Sequence, residues 1–210
     1  PKGRLPIKTH LTKPGNESHV YETVRKELQN GNQAYFVYPM IENLSDEDEE
    51  NQNYSNPSKK IKNAVEMFEF LSKKVYPEFK CGLIHSKVDE DEQNQILQDF
   101  KDGKINIIVA TTVVEVGVDV PNATCMVIEQ AERFGLAALH QLRGRVGRGS
   151  KQSYCFLIYG EKLTEIGKQR LKAMYENTDG FELAELDLKL RGPGEVAGIQ
   201  QSGYLSLGLS

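Results

Sequence analysis

No run of 18 or more apolar residues occurs in the sequence, which excludes a helical membrane span. The opening stretch, PKGRLPIK, is polar and reads as no secretory leader. Cysteine is scarce: Cys81, Cys125 and Cys155 are scattered among 210 residues, each inside an apolar, strand-like run. An odd number at such spacing fits neither a disulfide framework nor a zinc site. The three are expected to be core residues of a cytoplasmic protein. An excess of positive charge is also missing, with 26 Lys and Arg against 30 Asp and Glu and a net charge of −4. That excludes a protein coated in basic charge but leaves room for one that concentrates arginine in a groove.

Several kinds of catalytic equipment are lacking as well. No G-x-x-x-x-G-K-[ST] loop is present to cradle a phosphate. The acidic clusters at 46–50 and 89–92 do not fit a magnesium site, because such a carboxylate should stand at the end of a buried strand. The first cluster lies in a polar stretch, and the second opens a helix, where acids suit the macrodipole. No Ser-His-Asp set and no metal-ligand spacing occurs. The chain therefore has no parts of its own to activate a water, and any catalysis must be shared with another domain.

What is present is an alternation of strands and helices. Apolar runs at 34–38, 82–85, 105–110, 125–129 and 154–159 read as strands, most of them continuously apolar, as strands covered on both faces should be. Val20, Val24 and Leu28 form one helical stripe with Gly31 as its stop, and Ile61, Val65, Phe68 and Leu71 form a second. Asp89 with Glu92 reads as a capping box opening a helix that carries Ile96, Leu97 and Phe100. Strand and helix in turn, with short connections, predict an α/β fold with a doubly wound parallel sheet. The acidic, polar stretch 45–60 is expected to be a solvated loop. After Gly160 the alternation stops, which divides the chain into a lobe over 1–160 and a helical element over 161–210.

Two motifs carry the chemistry. Residues 139–149, LHQLRGRVGRG, hold three arginines and three glycines. If a helix starts after Gly135 and continues through this stretch, Arg145 and Arg148 are three apart and share one face, while Arg143 points elsewhere. Two guanidinium forks on one face suit a phosphate chain and the charge that develops in phosphoryl transfer. The flanking Leu136, Leu139 and Leu142 give the segment a buried stripe, which a loose RG-rich tract lacks. In the second motif, 109–123, a buried strand ends at Ala110. Thr111 and Thr112 follow at the carboxyl edge, where open α/β sheets bind ligands. Gly117 permits close backbone approach, and Asp119 offers a carboxylate to a ribose.

Together ATTVVEVGVDVPNA and HQLRGRVGRG resemble motifs V and VI of superfamily-two helicases, in the order found in the second RecA-like lobe of that family. The tail, DGFELAELDLKLRGPGEVAGIQQSG, resembles the translocation element of the RecG helicases, and PKGRLPI resembles the RecG segment that joins the two helicase lobes. The resemblance implies a RecA-like lobe without its own phosphate loop, followed by a helical hairpin. It implies that Gln141, Arg145 and Arg148 act on the γ-phosphate of ATP, with magnesium, held mainly by a first lobe. By the same resemblance Gly117 and Asp119 line the nucleotide, Thr111 and Thr112 face the DNA backbone, and Arg170, Arg191 and Gln201 tie the hairpin that couples ATP use to movement. The implied partners are branched DNA, such as stalled forks and Holliday junctions, and the first lobe and wedge domain of a parent chain, with no membrane. The alternatives are the motor lobe of a transcription-repair coupling factor and a nucleic-acid binding module without ATPase function.

By this reading the 210-residue chain on its own folds but does not hydrolyse ATP. Phosphate release assayed with and without DNA checks this, and DNA-stimulated turnover by the chain alone would contradict it.

Overall fold

Runs of aliphatic residues without polar alternation pair as parallel strands once helices cover both faces. The computed structural model builds such a sheet, and it describes residues 5–39, 57–111, 119–176 and 188–190. Among the described residues the strands are β1 (Lys8–Thr12), β2 (Gln33–Val37), β3 (Cys81–Ile84), β4 (Ile107–Ala110), β5 (Ala123–Ile128) and β6 (Tyr154–Ile158). All pairings are parallel, in the order β1-β6-β5-β2-β4-β3. Every residue of β2, β4 and β5 is buried, as their uninterrupted apolar runs require.

The helices are α1 (Glu17–Gln29), α2 (Pro57–Phe70, running into a π-helical turn at Leu71–Val75), α3 (Glu90–Lys101), α4 (Leu136–Arg143) and α5 (Glu165–Glu176). Successive strand residues point to opposite faces, so the sheet has two core layers. Tyr35 and Val37 face Phe100 of α3, Leu139 of α4 and Met174 of α5. Phe36 faces the other way, onto Val24 and Leu28 of α1, Leu71 and Tyr76. Cys125 and Cys155 lie buried in the sheet and Cys81 is half-buried, with all three thiols free. Burial pushes the thiols up, Cys81 to about 11 and both Cys125 and Cys155 to about 12, so all remain protonated at neutral pH.

Differences from the sequence reading have local causes. Val20, Val24 and Leu28 are buried as the stripe requires, and the chain leaves α1 through Gly31 at φ 87°, where a side chain would be strained. Asp89 is the residue before α3, yet its side chain makes no capping hydrogen bond, so the capping-box reading is corrected. Glu90, Asp91 and Glu92 in the first turn still oppose the positive helix end. Helix α2 begins at Pro57, inside the stretch read as a loop to residue 60, and proline suits the first helical position. The rest of that stretch, 45–56, lies outside the described residues. Strand limits move by a residue or two, as the start of β4 at Ile107 rather than Ile105 illustrates.

Strand β1 is an addition. Its residues Lys8, His10 and Leu11 are exposed, so KTHLT carries no buried run for a sequence reading to find. It is held at the sheet edge by pairing with β6 from Lys8↔Tyr154 to Thr12↔Ile158.

Leu136, Leu139 and Leu142 are buried on one side of α4 and fix that helix on the sheet. Leu139→Ala is expected to lower stability by about 2–5 kcal/mol, the range for truncating a buried leucine. Chemical denaturation measures it, and a loss below about 1 kcal/mol would mean that this stripe does not anchor α4.

Candidate functional site

A parallel sheet gathers all its carboxyl ends on one edge. From β2 the chain crosses to β3 on one side of the sheet order, and from β5 it crosses to β6 on the other. Where neighbouring strands send their connections in opposite directions, a crevice opens beyond their carboxyl ends. Tyr38 and Glu129 stand there. The Tyr38 amide donates to the Ala110 carbonyl at 2.8 Å and the Glu129 amide to the Val37 carbonyl at 2.9 Å. The Tyr38 hydroxyl donates to Glu129 Oε2 at 3.2 Å. Burial lifts the Glu129 carboxyl to about 7, the Tyr38 hydrogen bond works against that shift, and the nearby Glu17 adds to it. Beside them Thr111 is buried at the end of β4, its amide donating to the Ile84 carbonyl at 3.2 Å. Thr112 and Gly117 lie outside the described residues.

The arginines lie elsewhere. After β5 the chain turns at Gln130, whose φ of 51° is left-handed, and a short 3-10 turn at Ala131–Arg133 leads into α4. Helix α4 carries the chain back across the sheet face and ends at Arg143. Arg145 and Arg148 therefore do not share a helix face. The glycine-rich sequence ends the helix before it reaches them, with the Gly144 amide bonded to the His140 carbonyl and the Arg145 amide to that of Leu142. They sit instead on a pinned turn. Val146 is buried, the Gly147 amide donates to Ser153 Oγ at 3.1 Å, and Arg148 Nε donates to the Gly144 carbonyl at 2.9 Å. Gly147 has φ 78°, and a Cβ there would lie 2.9 Å from Ile7 Cγ1, so only glycine fits.

The two guanidinium groups nonetheless share a neighbour. Burial raises the Tyr35 phenol to about 12, and Arg145 and Arg148 both act to lower it. Both charges thus come within electrostatic reach of one hydroxyl on β2. The strand that returns toward β5 passes beside them: Gly149 packs on Pro121, whose carbonyl oxygen lies 3.0 Å from where a Gly149 Cβ would stand. Exposed Asp119 is two residues before Pro121. Gln141 is exposed on α4, opposite the leucine stripe. The structure thus packs Gly149, next to Arg148, on Pro121, two residues after Asp119, and places Thr111 at the carboxyl end of β4. Arg170 is half-buried on α5, while Arg191 and Gln201 lie outside the described residues.

Sequence reasoning passed over Tyr35, Glu129, Glu132 and Arg143. Arg143 is only 4% exposed and donates to the Met174 carbonyl at 2.7 Å and to Thr9 Oγ1 at 3.2 Å. Glu132 accepts the Gly160 amide, with both carboxylate oxygens at 3.1 Å. Charged residues beside apolar ones look like surface in a sequence, and only the leucine stripe hinted that Arg143 is covered.

Residues 19–150 match the helicase conserved C-terminal domain, and residues 177–208 match the C-terminal part of domain 3 of the ATP-dependent DNA helicase RecG. The chain is 52% identical to the ATP-dependent DNA helicase RecG of Borreliella burgdorferi over 207 residues, covering 99% of this chain and 28% of that protein. The RecG of Thermotoga maritima is 49% identical over 203 residues, covering 97% of this chain and 24% of that one. The chain thus spans about a quarter of the length of these relatives. A structure of RecG bound to a three-way DNA junction superposes with a TM-score of 0.74 at 45% identity, covering 100% of this chain and 24% of that one. The yeast DEAD-box splicing factor Prp28 shares the fold at TM-score 0.59 and 16% identity, covering 85% of this chain and 34% of that one.

The folded chain holds the Glu129 proton to about pH 7 and the unfolded chain only to the ordinary 4.5. Stability from this group is therefore fullest at low pH and is lost as pH rises between those values. Glu129→Gln keeps an acceptor for Tyr38 and removes the titration. It is expected to gain stability relative to the original chain between about pH 5 and about pH 8 in urea melts. Parallel pH profiles for the two chains would place the carboxylate in water.

Proposed function

The chain belongs to the helicase conserved C-terminal domain family, in its RecG branch, and on that premise we propose that it works as the second motor lobe of an ATP-dependent DNA helicase. Its substrate is branched DNA, a reading supported by the junction bound to the similar RecG structure. Its place of work is the cytoplasm, where such DNA lies, and its partners are the first motor lobe and the wedge domain of the parent protein.

The observation that carries this reading is the pinned turn whose Arg145 and Arg148 charges both reach Tyr35 and which packs, through Gly149, on Pro121 of the Asp119 segment. A phosphate chain held by the first lobe finds two guanidinium forks there, carried on a turn held by the buried Val146 and the Gly147 amide, with Arg148 Nε bonded to the Gly144 carbonyl. Preorganised positive charge favours the transition state of phosphoryl transfer over the ground state, because the cost of gathering the charges is met in folding. Gln141, on the exposed side of α4, orients the attacking water or the terminal phosphate. Asp119 and Gly117 hold the sugar side of the nucleotide. Magnesium, on this reading, comes with the ATP held mainly by the first lobe. Thr111, at the carboxyl end of β4, and Thr112 take the DNA backbone. Arg170, Arg191 and Gln201, in the element over 161–210, turn nucleotide state into movement along DNA.

In the parent protein Arg145→Ala and Arg148→Ala are each expected to cut ATP turnover by about 10³-fold, the scale of an arginine that stabilises phosphoryl transfer. Nucleotide affinity falls much less than turnover. Steady-state hydrolysis with saturating DNA, alongside nucleotide binding, measures both. Near-normal turnover in both variants, with weaker DNA binding, would support a non-catalytic nucleic-acid module instead.

A further inference from the structure

Helix α5 lies between the two matched regions: residues 151–176 belong to neither the helicase C-terminal match at 19–150 nor the RecG tail match at 177–208. It is the physical bridge between the arginine-bearing lobe and the tail. Its Leu171 and Met174 are buried in the same core as Leu139 and Leu142 of α4. The segment from β5 through α4 also grips it toward both ends. Ahead of α5, the Glu132 carboxylate accepts the Gly160 amide, and Gly167 in its first turn packs 3.6 Å (from an ideal Cβ position) from the Glu132 Cβ. Near its far end, Arg143 donates to the Met174 carbonyl at 2.7 Å.

We propose that Arg143 is a positioning residue that transmits the position of the Arg145 and Arg148 turn to the end of α5, and so to the tail. The inference rests on the motor reading given above. Met174 lies in the last described turn of α5, and its carbonyl accepts from the Arg143 guanidinium. A charged donor makes a stronger hydrogen bond to a carbonyl than a neutral one, so the contact is a firm link between the two helices. A second bond, to Thr9 Oγ1 on β1, ties the junction to the sheet edge, and the other terminal nitrogen of Arg143 lies 3.4 Å from His140 Nδ1 on α4. Removing a guanidinium from water is costly and persists where its donors are used. A leucine would fill the same space and continue the stripe, but it would bond to nothing on α5. Arg143 is also the last residue of α4, one glycine away from Arg145. When the turn closes on a phosphate, Arg143 moves with it, and the hydrogen bond carries that shift to Met174. From there the backbone continues into the tail.

The test uses the full-length parent protein and one forked DNA duplex. Arg143→Met keeps most of the volume and removes the donors, and Arg143→Lys keeps one cationic donor. Arg143→Met is expected to hold DNA-dependent ATP turnover within about threefold while unwinding per ATP falls about tenfold, the scale on which coupling residues act. Arg143→Lys falls between it and the original protein. Hydrogen exchange in the peptide covering the end of α5 changes when a non-hydrolysable ATP analogue is added to the original protein, and this response is lost in Arg143→Met. An unchanged ratio of unwinding to ATP turnover overturns the proposal. So does a parallel loss of both activities with a lower melting temperature, which would make Arg143 a scaffold residue. Absence of DNA-dependent turnover in the original parent overturns the motor reading itself, an outcome distinct from either.

Discussion

A sheet whose strands all run in one direction imposes a route on the chain. Every strand finishes at the same edge, so each connection must travel back over a face before the next strand can start. In this protein the return legs carry the candidate site residues. The leg from β4 to β5 leaves Thr111 at the carboxyl edge and delivers Asp119 near the start of β5, and the leg from β5 to β6 is α4 followed by the arginine turn. The two legs meet where Gly149 packs on Pro121.

Charge inside the lobe is placed at the joints. Arg143 sits where α4 meets the end of α5, Glu132 where the chain leaves β6 toward α5, and Glu129 where β5 ends beside β2. Arg143 is buried and the two glutamates are half-buried, each bonded to the backbone or to a tyrosine, which makes burial tolerable and fixes a geometry that apolar packing alone leaves loose. Such joints are directional: a displaced helix end breaks a hydrogen bond, while a displaced leucine slides against its neighbours. Hydrogen bonds as well as apolar packing thus join the end of α4 to α5 despite the change of sequence pattern after Gly160.

Much of this was legible in the residues themselves. Uninterrupted apolar runs gave β2, β4 and β5, and the spacing of Val20, Val24 and Leu28 gave α1, because burial on a strand or a helix imposes its own period. The local sequence of the two motifs singled out Arg145, Arg148 and Asp119 as candidates, since phosphate chemistry needs such groups and glycine spacing lets them approach. Less legible was β1, whose solvent-facing edge leaves no apolar signature. The capping box at Asp89 and Glu92 had the right spelling but not the bond, because capping depends on a side-chain rotamer that spelling does not specify.

The sequence by itself determined the class of fold, the order of its elements and the chemistry available, because propensity, hydrophobic period and functional-group identity are local properties. It could not say that α4 stops at Arg143, that two arginines beyond the helix still gather around Tyr35, or that Arg143 is buried against a carbonyl 31 residues further on. Those depend on which segments lie side by side. Only the closing of the parallel sheet, with α4 and α5 laid on one face of it, brings distant residues within the few ångströms over which hydrogen bonds and desolvation act.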